Sequence, residues 1–199
     1  MFFFRFLLLI FIINPVNLNS QWEFEFEKEG IKVYTQSVEG NSFKAFKGET
    51  VLEFPINKLV NFISRVELFP QWCYQTTSTE VLRKEENKVF YRYVSATPAL
   101  IDNREAYFCN EIHTDSLAGI VTIVMRTYSS PAPVPKGYTR MPLSNGFWKL
   151  TPLSTTSTHV IFQMHADPGG NIPAWLANRF SADSPYITMK NLRKMMLNE

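Results

Sequence analysis

The feature that most constrains this chain is a long succession of alternating segments followed by one long helical pattern. Between residues 30 and 166, apolar and polar residues alternate over short runs that are separated by turn residues, such as those at 39–41 and 85–87. A period of two is typical of β-strands with one buried face. Because few helices separate the runs, the pattern favours an antiparallel sheet.

We predict about eight strands and one short helix that begins near Asn57 and ends before Pro70. Residues 21–29, where Trp22, Phe24 and Phe26 alternate, are compatible with either a short helix or a strand. The predicted strands cover residues 30–35, 43–54, 80–84, 89–95, 104–114, 119–129, 146–152 and 158–166.

The strand at 158–166 separates into two faces. One face carries apolar side chains (Val160, Phe162, Met164, Ala166), and the other carries His159, Ile161, Gln163 and His165. We expect the apolar face to be directed inward and the other face to be partly exposed.

The last element is predicted to be a helix that begins near Pro173, because proline is favoured in the first helical turn. Its apolar stripe is Ile172, Leu176, Phe180 and Ile187, and Pro185 is expected to kink or interrupt it. A helix of about 25 residues would span about 37 Å, enough to cover the open side of a curved sheet.

Residues 2–13 form a nearly continuous apolar run that only Arg5 breaks, and a polar segment with Asn14, Pro15 and Ser20 follows it. This pattern predicts a secretory signal peptide at residues 1–20 and a single domain at 21–199. The alternative is an uncleaved N-terminal anchor. If the segment is removed, 19 basic and 18 acidic residues remain, which is a formal charge of +1. Because no basic run stands out, nucleic acid is not expected as a partner.

The two cysteines, Cys73 and Cys109, would meet an oxidising compartment after export and either form a disulfide or remain separate thiols. The three histidines are isolated in the sequence, so we expect no metal site and no metal cofactor.

Several segments, taken in order, resemble the START family, the StAR-related lipid-transfer domains. The most specific is DPGGNIPAWLAN at 167–178, which is close to the family's signature between the last strand and the final helix. The others are GIKVY at 30–34, FKAFKG at 43–48, PQW at 70–72, NRE at 103–105 (where the family has Arg-Asp), KGYTR at 136–140 and FWKLTP at 147–152.

The resemblance implies an α+β helix-grip fold, a curved antiparallel β-sheet wrapped around a long C-terminal α-helix with an internal hydrophobic cavity. It also implies binding of one lipid or similar apolar molecule, with no cofactor and no catalysis in most members. The family's gate corresponds here to the loop 97–103, where Pro98, Leu100 and Ile101 are candidates for closing over a ligand or for transient membrane contact. An ordinary surface loop is the alternative.

Sterol-binding members carry a buried acid and a buried arginine in the cavity. The corresponding positions here are Tyr93 and Asn110, and neither is charged. The sequence therefore leaves the ligand open. The candidate lining residues are Tyr91, Tyr93, Tyr107, Asn110, Met125, Phe147, Phe162, Met164, Leu176 and Phe180.

Two arginines in the predicted strands, Arg104 and Arg140, are possible polar anchors for a ligand carboxylate or phosphate. The interpretation that we favour over ligand binding is a structural salt bridge within the fold. For Arg104 the partner would be Glu105 or Asp167.

Three functions follow from this reading. The first is binding, and transfer, of a hydrophobic small molecule by an exported monomer. The second is a cyclase-like or hydrolase-like enzyme in the same cavity, for which Asp102 and His113 are the candidate pair. The third is an interaction module whose cavity is filled.

Overall fold

The computed structural model describes residues 21–97 and 101–199, and within them ten strands form one sheet. Neighbouring strands in the sheet follow the order β1-β2-β3-β10-β9-β7-β6-β5-β4, with β8 beside β6. The strands are β1 (Glu23–Lys28), β2 (Ile31–Val38), β3 (Asn41–Leu52), β4 (Thr76–Lys84), β5 (Lys88–Ser95), β6 (Asn103–Asp115), β7 (Ile120–Thr127), β8 (Tyr138–Arg140), β9 (Leu143–Pro152) and β10 (Thr158–Asp167).

The predicted antiparallel sheet is confirmed, with two strands beyond the predicted eight. Residues 21–29, for which the sequence allowed either a helix or a strand, contain β1. This strand pairs with β2, and the register of the pairing shifts between Phe24 and Phe26. The three-residue β8 pairs with β6 in parallel and is the exception to the antiparallel pattern among the described strands. The predicted strand at 80–84 begins earlier, at Thr76, and the one at 146–152 begins at Leu143.

Helices fill the connection between β3 and β4 and form the C-terminal element. They are α1 (Ile56–Ile63), a short 3-10 turn (Val66–Leu68), α2 (Phe69–Trp72) and α3 (Ala174–Met196). Asn57 does not cap α1, because the helix begins one residue earlier and Pro55 occupies the capping position. Phe69 is helical although Pro70 follows it, because this proline lies in the first turn of α2, where its missing N–H costs nothing.

The final helix starts directly after Pro173, as predicted, and spans about 35 Å at 1.5 Å per residue. It is continuous from 174 to 196, so the predicted interruption at Pro185 is absent from this helix. Pro185 is buried against the sheet, and tertiary packing of this kind can outweigh a residue that is locally unfavourable in a helix. A Cβ on Gly48 of β3 would lie 2.8 Å from Cβ of Pro185, so the glycine leaves the space in which the proline packs.

The hydrophobic core lies between the concave face of the sheet and the helices. Its largest fully buried side chains include Trp72 of α2, Trp148 of β9 and Leu192 of α3. On β10, Val160 and Phe162 are buried, which confirms the predicted inward face of that strand. The described residues contain no helix that is both long enough and apolar enough to span a bilayer. The predicted signal peptide at 1–20 lies outside the described residues.

Candidate ligand cavity

A cavity of about 210 Å³ lies between the inner face of the sheet and the N-terminal half of α3. The sheet provides a largely aromatic wall, and α3 closes the opposite side. The principal wall residues on the sheet are Tyr91, Tyr93, Phe108, Met125, Trp148 and Phe162. A concave, mostly apolar space of this kind is typical of sites for apolar small molecules.

The floor of the cavity is an aromatic stack that joins two neighbouring strands. The rings of Trp148 and Phe162 stack with their centroids 4.2 Å apart and an interplanar angle of 6°, because the two residues are paired in register. Phe46 of β3 packs edge-on against Phe162 at 5.3 Å. Interlocked rings of this kind are held rigidly, so the floor is a preformed surface.

The helix lines the cavity with residues at intervals of four. Ile172 lies just before α3, and the stripe continues along it as Leu176, Phe180, Ser184 and Thr188. The predicted stripe continued instead to Ile187, which is half-buried and does not line the cavity. Ser184 and Thr188 were not among the predicted lining residues, because the predicted stripe contained apolar side chains only. Their spacing of four residues from Phe180 would have placed them on the same face of the helix.

Polar groups concentrate in one row at the end of the cavity near the loop 97–103. Thr76 of β4 pairs with Ser95 of β5, which pairs in turn with Arg104 of β6, so these three residues lie side by side across the sheet. The Thr76 hydroxyl donates a 3.3 Å hydrogen bond to the Tyr93 hydroxyl. Burial raises the pKa of Tyr93, so its phenol is neutral at physiological pH and serves as a hydrogen-bonding group.

Arg104 is 3% exposed, and its guanidinium binds backbone carbonyls on two segments. Nε donates to the Pro168 carbonyl at 2.9 Å, Nη2 donates to the Gly169 carbonyl at 3.1 Å, and Nη1 donates to the Asp102 carbonyl. The side chain thereby joins the loop before β6 to the turn before α3. Within that turn, Gly169 has a φ of +64°, a backbone conformation that favours glycine.

The two arginines that were predicted as polar anchors, Arg140 and Arg104, bind different kinds of partner. Arg140 forms the favoured structural salt bridge, with its Nη2 2.5 Å from the fully buried carboxylate of Glu105, and Arg92 binds the same carboxylate at 2.9 Å. Arg104 does not form the predicted salt bridge with Glu105 or with Asp167. Glu105 is directed to the opposite face of β6, and Asp167 accepts the Gly169 N–H at 2.8 Å.

The structure places seven of the ten predicted lining residues at the cavity wall: Tyr91, Tyr93, Met125, Phe162, Met164, Leu176 and Phe180. A contact between any of them and a ligand stays a prediction.

The other three do not line the cavity. Tyr107 is on the outer face, where Arg140 lies 4.9 Å from its ring centroid, and Phe147 is on the outer face beside the inward Trp148. Asn110 is on the inner face but lies behind Tyr91, whose hydroxyl donates to Oδ1 of Asn110 at 3.1 Å.

Within the predicted gate loop, Ile101 lines the cavity. Pro98 and Leu100 lie outside the described residues. A gate at this place therefore stays a prediction, with one of its three candidate residues located at the cavity.

The residues proposed for catalysis or a disulfide are not brought together. Asp102 directly precedes β6 and His113 lies near the other end of that strand, so the two are about 36 Å apart at the usual rise of about 3.3 Å per residue. Cys73 and Cys109 are free thiols, and Cys73 lines the cavity. Burial raises the pKa of the Cys73 thiol well above its ordinary value, which keeps it in the unreactive thiol form. The described residues contain no cluster of three or more potential metal ligands.

Other wall residues come from elements that the sequence did not connect to the cavity. Phe69 and Cys73 reach it from α2 and the residue after it, and Phe43 and Phe46 reach it from β3. Only the folded arrangement brings these distant segments together, and the sequence carried no specific signal for them.

Comparison with known proteins gives the same architecture. A sequence profile described as "START domain" matches residues 17–197. The structure of a STAR-related lipid transfer protein from Xanthomonas axonopodis is 30% identical, with 88% of this chain and 98% of that chain covered and a TM-score of 0.81. Human StAR-related lipid transfer protein 5, at 18% identity and a TM-score of 0.80, shares the fold over 89% of this chain and 86% of its own. An uncharacterized Pseudomonas aeruginosa protein is 29% identical over 178 residues, which are 88% of this chain and 87% of that protein.

Proposed function

This chain belongs to the START domain family, and from that premise we propose that it binds one lipid or other apolar small molecule in the cavity beneath α3. The observation that carries the proposal is a concave, mostly apolar cavity with a charged side chain, Arg104, at one end. Such a site suits an amphiphile whose polar end is fixed by few hydrogen bonds and whose apolar part is removed from water.

The energetics support binding without chemistry. Burial of apolar surface contributes about 25 cal/mol per Å², so a guest that loses about 400 Å² gains about 10 kcal/mol before losses of motional freedom. These losses consume several kcal/mol, so the expected affinity is moderate. A moderate affinity suits a carrier that must release its cargo.

The chemistry of the wall supports a carrier over an enzyme. The ionisable wall groups in the described residues are one thiol, three phenols and one guanidinium (Cys73, Tyr74, Tyr91, Tyr93 and Arg104). Burial raises the pKa of the thiol and of all three phenols. These groups are therefore poor general acids and bases near neutral pH.

We also propose that the carrier is exported as a monomer and contacts membranes transiently at the loop 97–103. The apolar segment at residues 2–13 supports export, and Ile101 at the cavity wall supports the membrane contact. Cell fractionation tests export, and protein found only in the cytoplasm would contradict it. N-terminal sequencing of the exported protein tests cleavage, and a chain that retains residues 1–20 would support the uncleaved anchor instead. Vesicle flotation tests membrane contact, and sedimentation tests the oligomeric state.

Native mass spectrometry of the protein as purified tests the binding itself. We expect one co-purifying apolar molecule per chain. Ser184→Phe, which places a ring in the cavity from α3, should abolish this adduct. Ser116→Phe makes the same substitution at an exposed turn and serves as the control.

If the wild-type protein carries no co-purifying molecule and also fails to bind added lipid, the proposal is contradicted. Chemical turnover of the added lipid would support the enzyme alternative. Movement of a fluorescent lipid between donor and acceptor vesicles measures transfer.

A further inference from the structure

Arg104 is the only charged side chain among the described residues that line the cavity. It lies at the mouth, opposite Ser95 and close to the loop 97–103, and it is almost fully buried. A buried charge is costly unless an opposite charge compensates it. The groups that surround Arg104 therefore indicate whether a ligand would have to supply the opposite charge.

The hydrogen bonds of Arg104 do not neutralise its charge. All three bonds described above end on neutral backbone carbonyls. The described residues contain no ion pair to this guanidinium, and the remaining residues (1–20 and 98–100) contain no Asp or Glu. Asp102 favours the charged form from nearby, but its side chain is not within ion-pair distance, and desolvation lowers the pKa of Arg104 overall.

The same bonds leave donor capacity at the site. A guanidinium has five N–H groups, and the three described bonds use three of them. The carbonyls hold the group in place from the loop before β6 and from the turn before α3, so little side-chain freedom remains to be lost when an anion binds. Arg104 is thus a preorganised cation at the cavity mouth.

The neighbours of Arg104 complete a polar row. Ser95 is paired with Arg104, and Thr76 is paired with Ser95. The next inward pairs, Tyr93 with Ala106 and Tyr91 with Phe108, are aromatic or apolar, and Trp148 lies beyond them. The sheet wall of the cavity is therefore polar and positive at the mouth and mostly apolar in its depth, and the hydroxyls of Ser184 and Thr188 face it from α3.

We propose that the guest is a single-chain amphiphile with an anionic head, a carboxylate or a phosphate monoester, which pairs with Arg104 while the chain extends toward Trp148. This inference rests on the proposed function and specifies its ligand class. The cavity volume of about 210 Å³ is below the range of about 300–1,000 Å³ that is usual for ligand pockets. One chain therefore fits this space better than two.

The test compares three probes with the same twelve-carbon chain: dodecanoate, monododecyl phosphate and 1-dodecanol. Calorimetric titration of the delipidated wild-type protein measures each dissociation constant. An ion-paired hydrogen bond in a buried site should make at least one anion bind about tenfold to hundredfold more tightly than the alcohol. The anion with the higher affinity identifies the head group.

Variants assign the preference to one side chain. Arg104→Gln should reduce the affinity for the preferred anion to that of the alcohol, and Arg104→Lys should restore part of it because the charge returns. Arg126→Gln, which removes a positive charge from an exposed position outside the cavity, should leave the preference intact. If Arg104→Gln does not fold, the wild-type comparison of the probes and Arg104→Lys decide the question.

The outcomes separate this inference from the proposed function. If the alcohol binds as tightly as both anions, the anionic head is refuted and the carrier function stands. If an anion is preferred but Arg104→Gln keeps the preference, the assignment to Arg104 is refuted. If none of the probes and no other lipid binds, the proposed function itself fails.

Discussion

The buried carboxylate of Glu105 offers the sharpest test of how the cavity wall is stabilised. The side chain is fully buried and binds Arg92 at 2.9 Å and Arg140 at 2.5 Å, so one carboxylate joins β5, β6 and the end of β8. Glu105→Gln keeps the shape but leaves two guanidinium groups facing one neutral amide. Breaking a buried ion pair on one side costs about 3–5 kcal/mol.

We expect the lower part of that range, about 3 kcal/mol, because both arginine side chains are 22% exposed and remain partly solvated. In a domain of this size, about 3 kcal/mol corresponds to a decrease in Tm of about 6–12 °C. Urea unfolding at 25 °C measures the free energy, and a thermal scan measures Tm.

Glu111→Gln is the matched control on the same strand. Its pair with Lys88 is 3.4 Å long and both side chains are partly exposed, so the expected loss is about 1 kcal/mol or less. Equal losses for the two variants, or a neutral Glu105→Gln, would refute the reasoning that burial makes this carboxylate structurally important.

Three further predictions concern the helix and the thiols. Gly48→Ala places a Cβ 2.8 Å from Pro185 and should cost about 1–3 kcal/mol in urea unfolding, with faster ligand release; unchanged stability would contradict this contact. Leu192→Ala empties a fully buried site and should cost about 2–5 kcal/mol by the same assay; a loss below 1 kcal/mol would contradict its burial. Cys109 should react with a thiol reagent faster than Cys73, because desolvation raises the pKa of the Cys73 thiol more strongly, and increasing pH should accelerate both because the thiolate is the reactive form; equal rates would contradict this difference in desolvation.

Much of the fold could be predicted from local patterns. The alternation in β10 identified its inward face, and the proline at 173 identified the start of α3. The three-residue β8 was missed because so short a strand has no periodicity to detect. The interruption expected at Pro185 did not occur, and the packing of this proline against Gly48, 137 residues earlier, is a tertiary contact that the local sequence does not reveal.

The site could be predicted less completely. Tyr107 and Phe147 were assigned to the wrong face of their strands, and in each case the next residue, Phe108 or Trp148, lines the cavity. A shift of one residue reverses the face of a strand, and neither strand's own pattern fixed which aromatic residue faces inward. The absence of an ionic partner for Arg104 among the described residues depends on three-dimensional neighbours, so the sequence could not distinguish it from Arg140.

The most direct test of the central claim is the position of a guest within the folded protein. Crystals grown with 11-bromoundecanoate would give an anomalous bromine signal that reports where the chain lies. We predict one bromine site per chain inside the cavity, bounded by Met125 and Trp148 on the sheet and Phe180 on α3. Bromine found only on the outer surface, with the cavity unoccupied, would contradict the account.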